Sequence, residues 1–346
     1  MTARLESLDV LRGVAALLVL FYHMEELSVA AWPHIFYWGW VGVDLFFVLS
    51  GFFICLCVIR PREWKVIDFL KRRFLRIAPP YYVSMLLTIA FSSFYFITTS
   101  NGIAHTVVHL LFIHSYLEQT HGSINGAYWS LGVEFSFYIF MAVTACFLHS
   151  IRKRYILLSC MLVAAWLWRY TIYIYFNGQP MQQFIWSTQV IGMLDEFAIG
   201  CLVAFLYADY LVQEKHPKNY IAFGLIVTGF TLIAVFVKNL DDTFWREISS
   251  MVFARTYLAL GFGMIIFAFI MLERNKWFVS LCQWSGLSFI GMISFSIYLY
   301  HMPIINAANQ VKDMSSSPIL LSISILVMVL LMGIFSFHFI ERRFMK

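Results

Sequence analysis

Apolar runs of about 20 residues, each long enough to cross a bilayer as a helix, recur along the chain and are parted by short clusters of charge. Ten such runs stand out: Leu8 to Val29, Tyr37 to Ile59, Ala78 to Phe96, Tyr128 to Leu148, Tyr155 to Phe176, Trp186 to Tyr207, Tyr220 to Val237, Ser249 to Leu272, Gly286 to Ala308 and Pro318 to Ile340. An eleventh, Ile103 to Tyr116, is too short to span and reads as a re-entrant or interfacial helix. The pattern predicts an all-α polytopic membrane protein of ten transmembrane helices plus that one short element. The longest polar stretch runs only from Arg60 to Arg76, so residues 1–346 read as a single membrane domain with no additional soluble domain. The first run is expected to remain as an anchor, because no small-residue cleavage pattern follows it.

Composition agrees with that reading. Of 346 residues, 61% are hydrophobic and 12% charged, against about 25% charged in an average soluble domain. The positions of Lys and Arg set the orientation. With the N-terminus inside, only Lys238, Arg246 and Lys312 fall in outer segments, and Arg12, Arg169 and Arg255 fall within spans. The other 18 of the 24 cations, including Arg4, Lys215, Lys218 and Lys346, lie on the inner side, so both termini are expected to be cytoplasmic. A crossing by Ile103 to Tyr116 would largely abolish this bias. The six cysteines lie mostly within spans, with Cys55 and Cys57 the one close pair, so neither a disulfide framework nor a zinc site is expected.

Charges inside the spans carry the chemistry. Arg12 and His23 are eleven residues apart, and at about 100° per residue that is roughly 20° beyond three full turns, which places both on one helix face about 16 Å apart along the axis. A cation within the membrane costs several kcal/mol unless it finds a partner or a wet cavity. Two readings are open: Arg12 snorkels to lipid phosphate while His23 bonds across a helix interface, or the pair lines a functional cavity. Depth favours the second. Asp44 on the second run and Glu134 on the fourth fall at a depth similar to that of His23, and a carboxylate beside a neutral imidazole fixes its tautomer and stabilises its protonated form. The alternative for this layer is a structural ion pair locking three helices together.

On the inner side, Ile67, Leu70, Phe74 and Ile77 recur at helical spacing as an apolar stripe for the membrane interface, with Lys71, Arg72, Arg73 and Arg76 off it. Pro79 and Pro80 suit the opening of the next span. Arg73 and Arg76 are neighbours on a helix surface and can clamp a phosphate; ordinary anchoring to anionic lipid is the other reading.

Five stretches, "SLDVLRGVAALLVLFYH", "GVDLFFVLSGFFI", "RRFLRIAPPYY", "YWSLGVEFSFYIF" and "SFSIYLYHMP", in this order from Ser7 to about Pro303, resemble the acyltransferase 3 family of integral membrane acyltransferases. The Arg, ten residues, His pattern of that family is matched by Arg12 with His23, and its Arg-x-x-Arg by Arg73 with Arg76. Two departures are small: Val10 stands where many relatives have glycine, and the tail "ERRF", Glu341 to Phe344, lacks a proline often found there. The resemblance implies a ten-span enzyme that takes an acyl group, usually acetyl from acetyl-CoA on the cytoplasmic side, to a hydroxyl of an envelope carbohydrate such as O-antigen. It also implies a stand-alone enzyme of the cell inner membrane, whose partners are acyl-CoA, a glycan or lipid-linked sugar and the bilayer, with no metal and no nucleic acid. Arg73, Arg76 and Arg12 would then bind acyl-CoA, and His23, oriented by Glu134 or Asp44, would act as base. Direct transfer and transfer through an acylated His23 both fit.

Other features weigh less. Tyr298, Tyr300 and His301 either line an acceptor site or pack in the core, and core packing is the plainer account of Arg169, Arg255, Asp195 and Glu196. His105 and His109, four apart, lack a third metal ligand. Trp32, Trp38, Trp40 and Trp186 fit an aromatic belt. A transporter of a small anionic or lipid-linked substrate, or a lipid-binding scaffold, are the alternatives to an enzyme. A transporter more often shows paired spans broken by Gly or Pro in matching halves, and no P-loop suits the chain to ATP-driven transport.

Overall fold

A computed structural model describes residues 5–26, 34–59, 64–92, 94–212, 219–240, 244–312 and 317–344. Arg4, Trp32, Arg60, Arg62, Lys215, Lys218 and Lys346 lie outside the described residues. The helices are α1 (Glu6–Glu26), α2 (Val41–Ile59), α3 (Val66–Ser92), α4 (Tyr95–Thr98), α5 (Ser100–Leu110), α6 (Trp129–Thr144), α7 (Ile151–Tyr175) and α8 (Pro180–Ser187). They continue as α9 (Leu194–Val212), α10 (Asn219–Lys238), α11 (Ile248–Leu272), α12 (Lys276–Trp284), α13 (Leu287–Met292), α14 (Ser294–Val311) and α15 (Pro318–Phe339), with no strand among the described residues.

The chain is an all-α, multi-pass membrane protein. Nine helices among the described residues are long and apolar enough to cross a membrane. The expected run from Gly286 to Ala308 is instead divided between α13 and α14. Its second part carries His301, Pro303, Asn306 and Asn309, which lower its apolar character below that of the other nine.

Two expectations are revised. The basic segment and the third span form one uninterrupted helix, α3, with Pro79 and Pro80 in its interior rather than at its start. Prolines are tolerated there because neighbouring groups in a membrane protein can satisfy the carbonyls they release. The face of α3 that carries Arg73 and Arg76 is turned inward: both are half-buried beside buried Phe69 and Ile77, whereas Ile67 and Phe74 are exposed. Ile67 and Phe74 thus face outward, whereas Ile77 of the same stripe faces protein with the two arginines.

The short element after α3 turns back instead of spanning. α5 has 11 residues, about 16 Å at the helical rise. Phe112 then takes a left-handed φ of 58°, rare for a bulky residue, and stacking on Phe135, with ring centroids 4.6 Å apart, holds it there.

The chain divides into two compact units. Unit 1 comprises residues 1–11, 44–66 and 136–288, and unit 2 comprises 12–43, 67–135 and 289–346. Within unit 1, α7, α9, α10 and α11 pack on one another. The start of α1 is capped by Glu273, whose carboxylate accepts from the backbone N–H groups of Glu6 at 2.8 Å and Ser7 at 3.2 Å; a carboxylate suits the positive end of a helix. α2 and α9 cross with backbones touching, since a Cβ on Gly51 would stand 2.3 Å from the Phe197 carbonyl oxygen and one on Gly200 2.1 Å from that of Val48. Beside that crossing, Arg255 pairs with Asp44 and lies 3.7 Å from Glu196. Arg169 pairs with Asp195, which also accepts from the Thr256 hydroxyl. These charged side chains are buried and cross-link α2, α7, α9 and α11.

Candidate active site

Unit 2 gathers most of the residues to which the sequence assigns chemistry. His23 lies in the last turn of α1. Its Nδ1 is 2.9 Å from the Val19 carbonyl oxygen and 3.3 Å from Nε2 of His301. His301 is buried, and its Nδ1 lies 2.7 Å from the Tyr298 carbonyl oxygen.

α14 is positioned by an exception in its own sequence. Pro303 has no N–H, so the Leu299 carbonyl four residues earlier loses its helical donor. Two side chains supply replacements: the Ser84 hydroxyl of α3 at 3.1 Å and the Asn125 amide at 3.2 Å. Ser84 is in turn 2.6 Å from the Tyr128 hydroxyl. The Tyr298 hydroxyl donates to the Ala127 carbonyl oxygen at 2.7 Å and lies 2.6 Å from Ser130 Oγ. Every one of these groups is buried, so satisfying them fixes the rotation of α14 and aims His301 at His23.

Glu134, half-buried on α6, lies close enough to the Tyr298 hydroxyl to act on it electrostatically. Asp44 is the buried partner of Arg255 in unit 1. His23, Glu134, Tyr298 and His301 therefore belong to one unit, and Asp44 to the other.

At the opposite end of α1, Arg12 and Arg76 are both half-buried and both act electrostatically on the carboxylate of Glu341. Glu341 is buried and accepts from the Ser296 hydroxyl at 3.0 Å. The guanidinium of Arg73, one helical turn from Arg76, stands 5.7 Å over the Phe69 ring. The sequence marks Glu341 only as part of a tail that lacks a proline, and its distance along the chain from Arg12 and Arg76 hides their electrostatic interaction.

The segment from α5 to the next turn is built on stacked imidazoles. His109 and His114 lie face to face with centroids 4.1 Å apart. His109 nitrogens face the carbonyl oxygens of His105 at 2.8 Å and Ser123 at 3.1 Å, and His114 Nε2 faces that of Tyr128 at 2.9 Å. Burial pushes His109 down to about 4, and burial together with the neighbouring His109 pushes His114 down to about 3. No group of three or more metal-ligating side chains occurs among the described residues.

Residues 5–337 match the acyltransferase domain family. The chain belongs to the acyltransferase 3 family. It is 24% identical over 355 residues to the O-acetyltransferase OatA of Staphylococcus aureus strain NCTC 8325 / PS 47, a match that covers 97% of this chain and 56% of that protein. The OatA of strain COL gives the same figures. The chain thus spans a little over half the length of these relatives. No solved structure matches it significantly.

Proposed function

We propose that this family member is an O-acyltransferase of the cell inner membrane that moves an acetyl group from cytoplasmic acetyl-CoA to a hydroxyl of an envelope carbohydrate such as O-antigen. The observation that carries this reading is the arrangement along α1: an imidazole in its last turn, and at its other end two arginines, Arg12 and Arg76, around one carboxylate. The name of the relatives, O-acetyltransferase, supports acetyl as the group transferred.

In the reaction, the acceptor oxygen attacks the thioester carbon as His23 takes the hydroxyl proton. The tetrahedral intermediate collapses with cleavage of the carbon–sulfur bond. The imidazolium then returns its proton to the departing thiolate, so His23 ends as it began. Arg12, Arg73 and Arg76 hold the donor's phosphates, and Tyr298 with His301 forms the wall nearest the acceptor. Both termini face the cytoplasm, in keeping with the distribution of Lys and Arg along the chain.

The test uses the full-length protein in detergent with radiolabelled acetyl-CoA and lipid-linked glycan. Labelled glycan should appear with wild-type protein. With His23→Ala it should fall by about 10²- to 10⁴-fold, the usual contribution of proton transfer, while acetyl-CoA still binds. Retention of more than about a tenth of the turnover rules out His23 as the base. Transport of either compound into vesicles without acetylation favours the carrier reading.

A further inference from the structure

We propose that His301 is a positioning residue that sets the tautomer and orientation of His23; this rests on the reading of His23 as base. The geometry leaves one consistent placement of protons. The oxygen atoms of Tyr298 and Val19 are carbonyls and can only accept. The 2.7 Å contact between His301 Nδ1 and the Tyr298 oxygen therefore puts the proton of neutral His301 on Nδ1. The 2.9 Å contact between His23 Nδ1 and the Val19 oxygen likewise puts the proton of neutral His23 on Nδ1.

His301 Nε2 is then a bare lone pair, 3.3 Å from His23 Nδ1. It shares the His23 Nδ1 proton with the Val19 oxygen. The remaining nitrogen of His23, Nε2, is left unprotonated, which is the form a base requires. When Nε2 takes a proton from the acceptor hydroxyl, the ring becomes cationic and its Nδ1–H becomes a stronger donor toward His301. His301 stays neutral throughout and accepts that bond, a task usually given to a carboxylate. The relay ends at a backbone carbonyl, which cannot rotate away. His301 is buried and aimed by the Pro303 exception in α14, so its role needs no movement.

The test compares His301→Leu with His301→Gln in the full-length protein, measuring kcat and both KM values beside thermal unfolding. Leucine fills the space without accepting a bond. Glutamine presents an amide oxygen in place of Nε2. With both variants folded, leucine should lower kcat about tenfold or more, as loss of an imidazole's orienting partner does, with KM for acetyl-CoA within about twofold. Glutamine should recover at least about threefold of that loss. Wild-type kcat in His301→Leu, a loss confined to KM, or a glutamine variant no better than leucine would each overturn the proposal. His23→Ala separates the two levels: an active His23→Ala enzyme removes the base itself, whereas an inactive one beside a fully active His301→Leu removes only the positioning role.

Discussion

The Ser84 hydroxyl donates across 3.1 Å to the Leu299 carbonyl, an acceptor that Pro303 leaves without its helical partner. A proline is kept within a buried helix here, and neighbouring elements complete its bonding. Ser84→Ala removes one of two donors from a buried carbonyl and should lower stability by about 1–3 kcal/mol. In a Pro303→Ala background the helix regains its own N–H, so the same Ser84→Ala change should cost measurably less. A double-mutant cycle read by thermal or denaturant unfolding decides it; equal costs in the two backgrounds would mean that the proline and the serine are not coupled.

The buried charges of unit 1 predict a different pattern. Asp44 and Arg255 compensate one another away from water, so removing one member exposes the other to the full cost of desolvation. Arg255→Met should destabilise by about 3–5 kcal/mol. Removing both charges in Arg255→Met with Asp44→Leu should recover part of that loss, because well-packed apolar residues replace a buried pair at little cost, while Glu196, 3.7 Å from Arg255, still loses its cation. A double variant no more stable than the single one would show that the pair does more than satisfy itself.

These two clusters also mark what the sequence discloses. Helical periodicity alone puts Arg12 and His23 on one face, because both lie on a single helix whose geometry is fixed. Asp44 falls at a depth similar to that of His23, and depth gives only a height within the membrane, leaving the rotation of each helix and the order of its neighbours open. The partner of Asp44 proves to be Arg255, 211 residues away in the chain. His301 and His23 are 278 residues apart, and their contact depends on the rotation that Ser84 and Asn125 impose on α14. The shared face of Arg73 and Arg76 on α3 is legible in the sequence, but its inward direction is not, since the apolar residues beside them suit lipid as well as a core.

The stacked histidines give a pH dependence. Burial holds His109 near 4 and His114 near 3, whereas an exposed imidazole titrates near about 6.5. Between these values the unfolded segment binds protons that the folded one refuses, so stability rises with pH there. It is complete above about pH 6.5 and is lost as pH falls toward 4, at about 1.4 kcal/mol per pH unit for each ring. Hydrogen exchange of residues 100–121 should therefore accelerate, after correction for intrinsic rates, between pH 7 and pH 4.5. His114→Phe keeps a stacking ring and removes one titration, so its protection should decline less steeply. A variant with the wild-type slope would exclude His114 as a source of the effect.

The proposed donor gives a prediction for Arg73, Arg76 and Glu341. If Arg73 and Arg76 grip phosphate, Arg73→Ala or Arg76→Ala should each weaken acetyl-CoA binding by about 1.5–3 kcal/mol, the worth of hydrogen bonds to charged groups, or roughly 10- to 150-fold in Kd. Lysine at either position keeps the charge but loses the planar fork, so it should rescue only in part. On that reading Glu341 would oppose the same anion, since Arg12 and Arg76 act electrostatically on its carboxylate as well. Glu341→Gln preserves shape and the bond from Ser296 while removing the competing charge, and it should tighten acetyl-CoA binding. Added salt should weaken binding in the wild type more than in the arginine-to-alanine variants, because fewer charges remain to be screened. Isothermal titration of the purified protein measures all of these. If both alanine variants bind acetyl-CoA like the wild type, the arginines anchor lipid; if Glu341→Gln binds more weakly, the carboxylate serves to hold Arg12 and Arg76 in place and not to temper their charge.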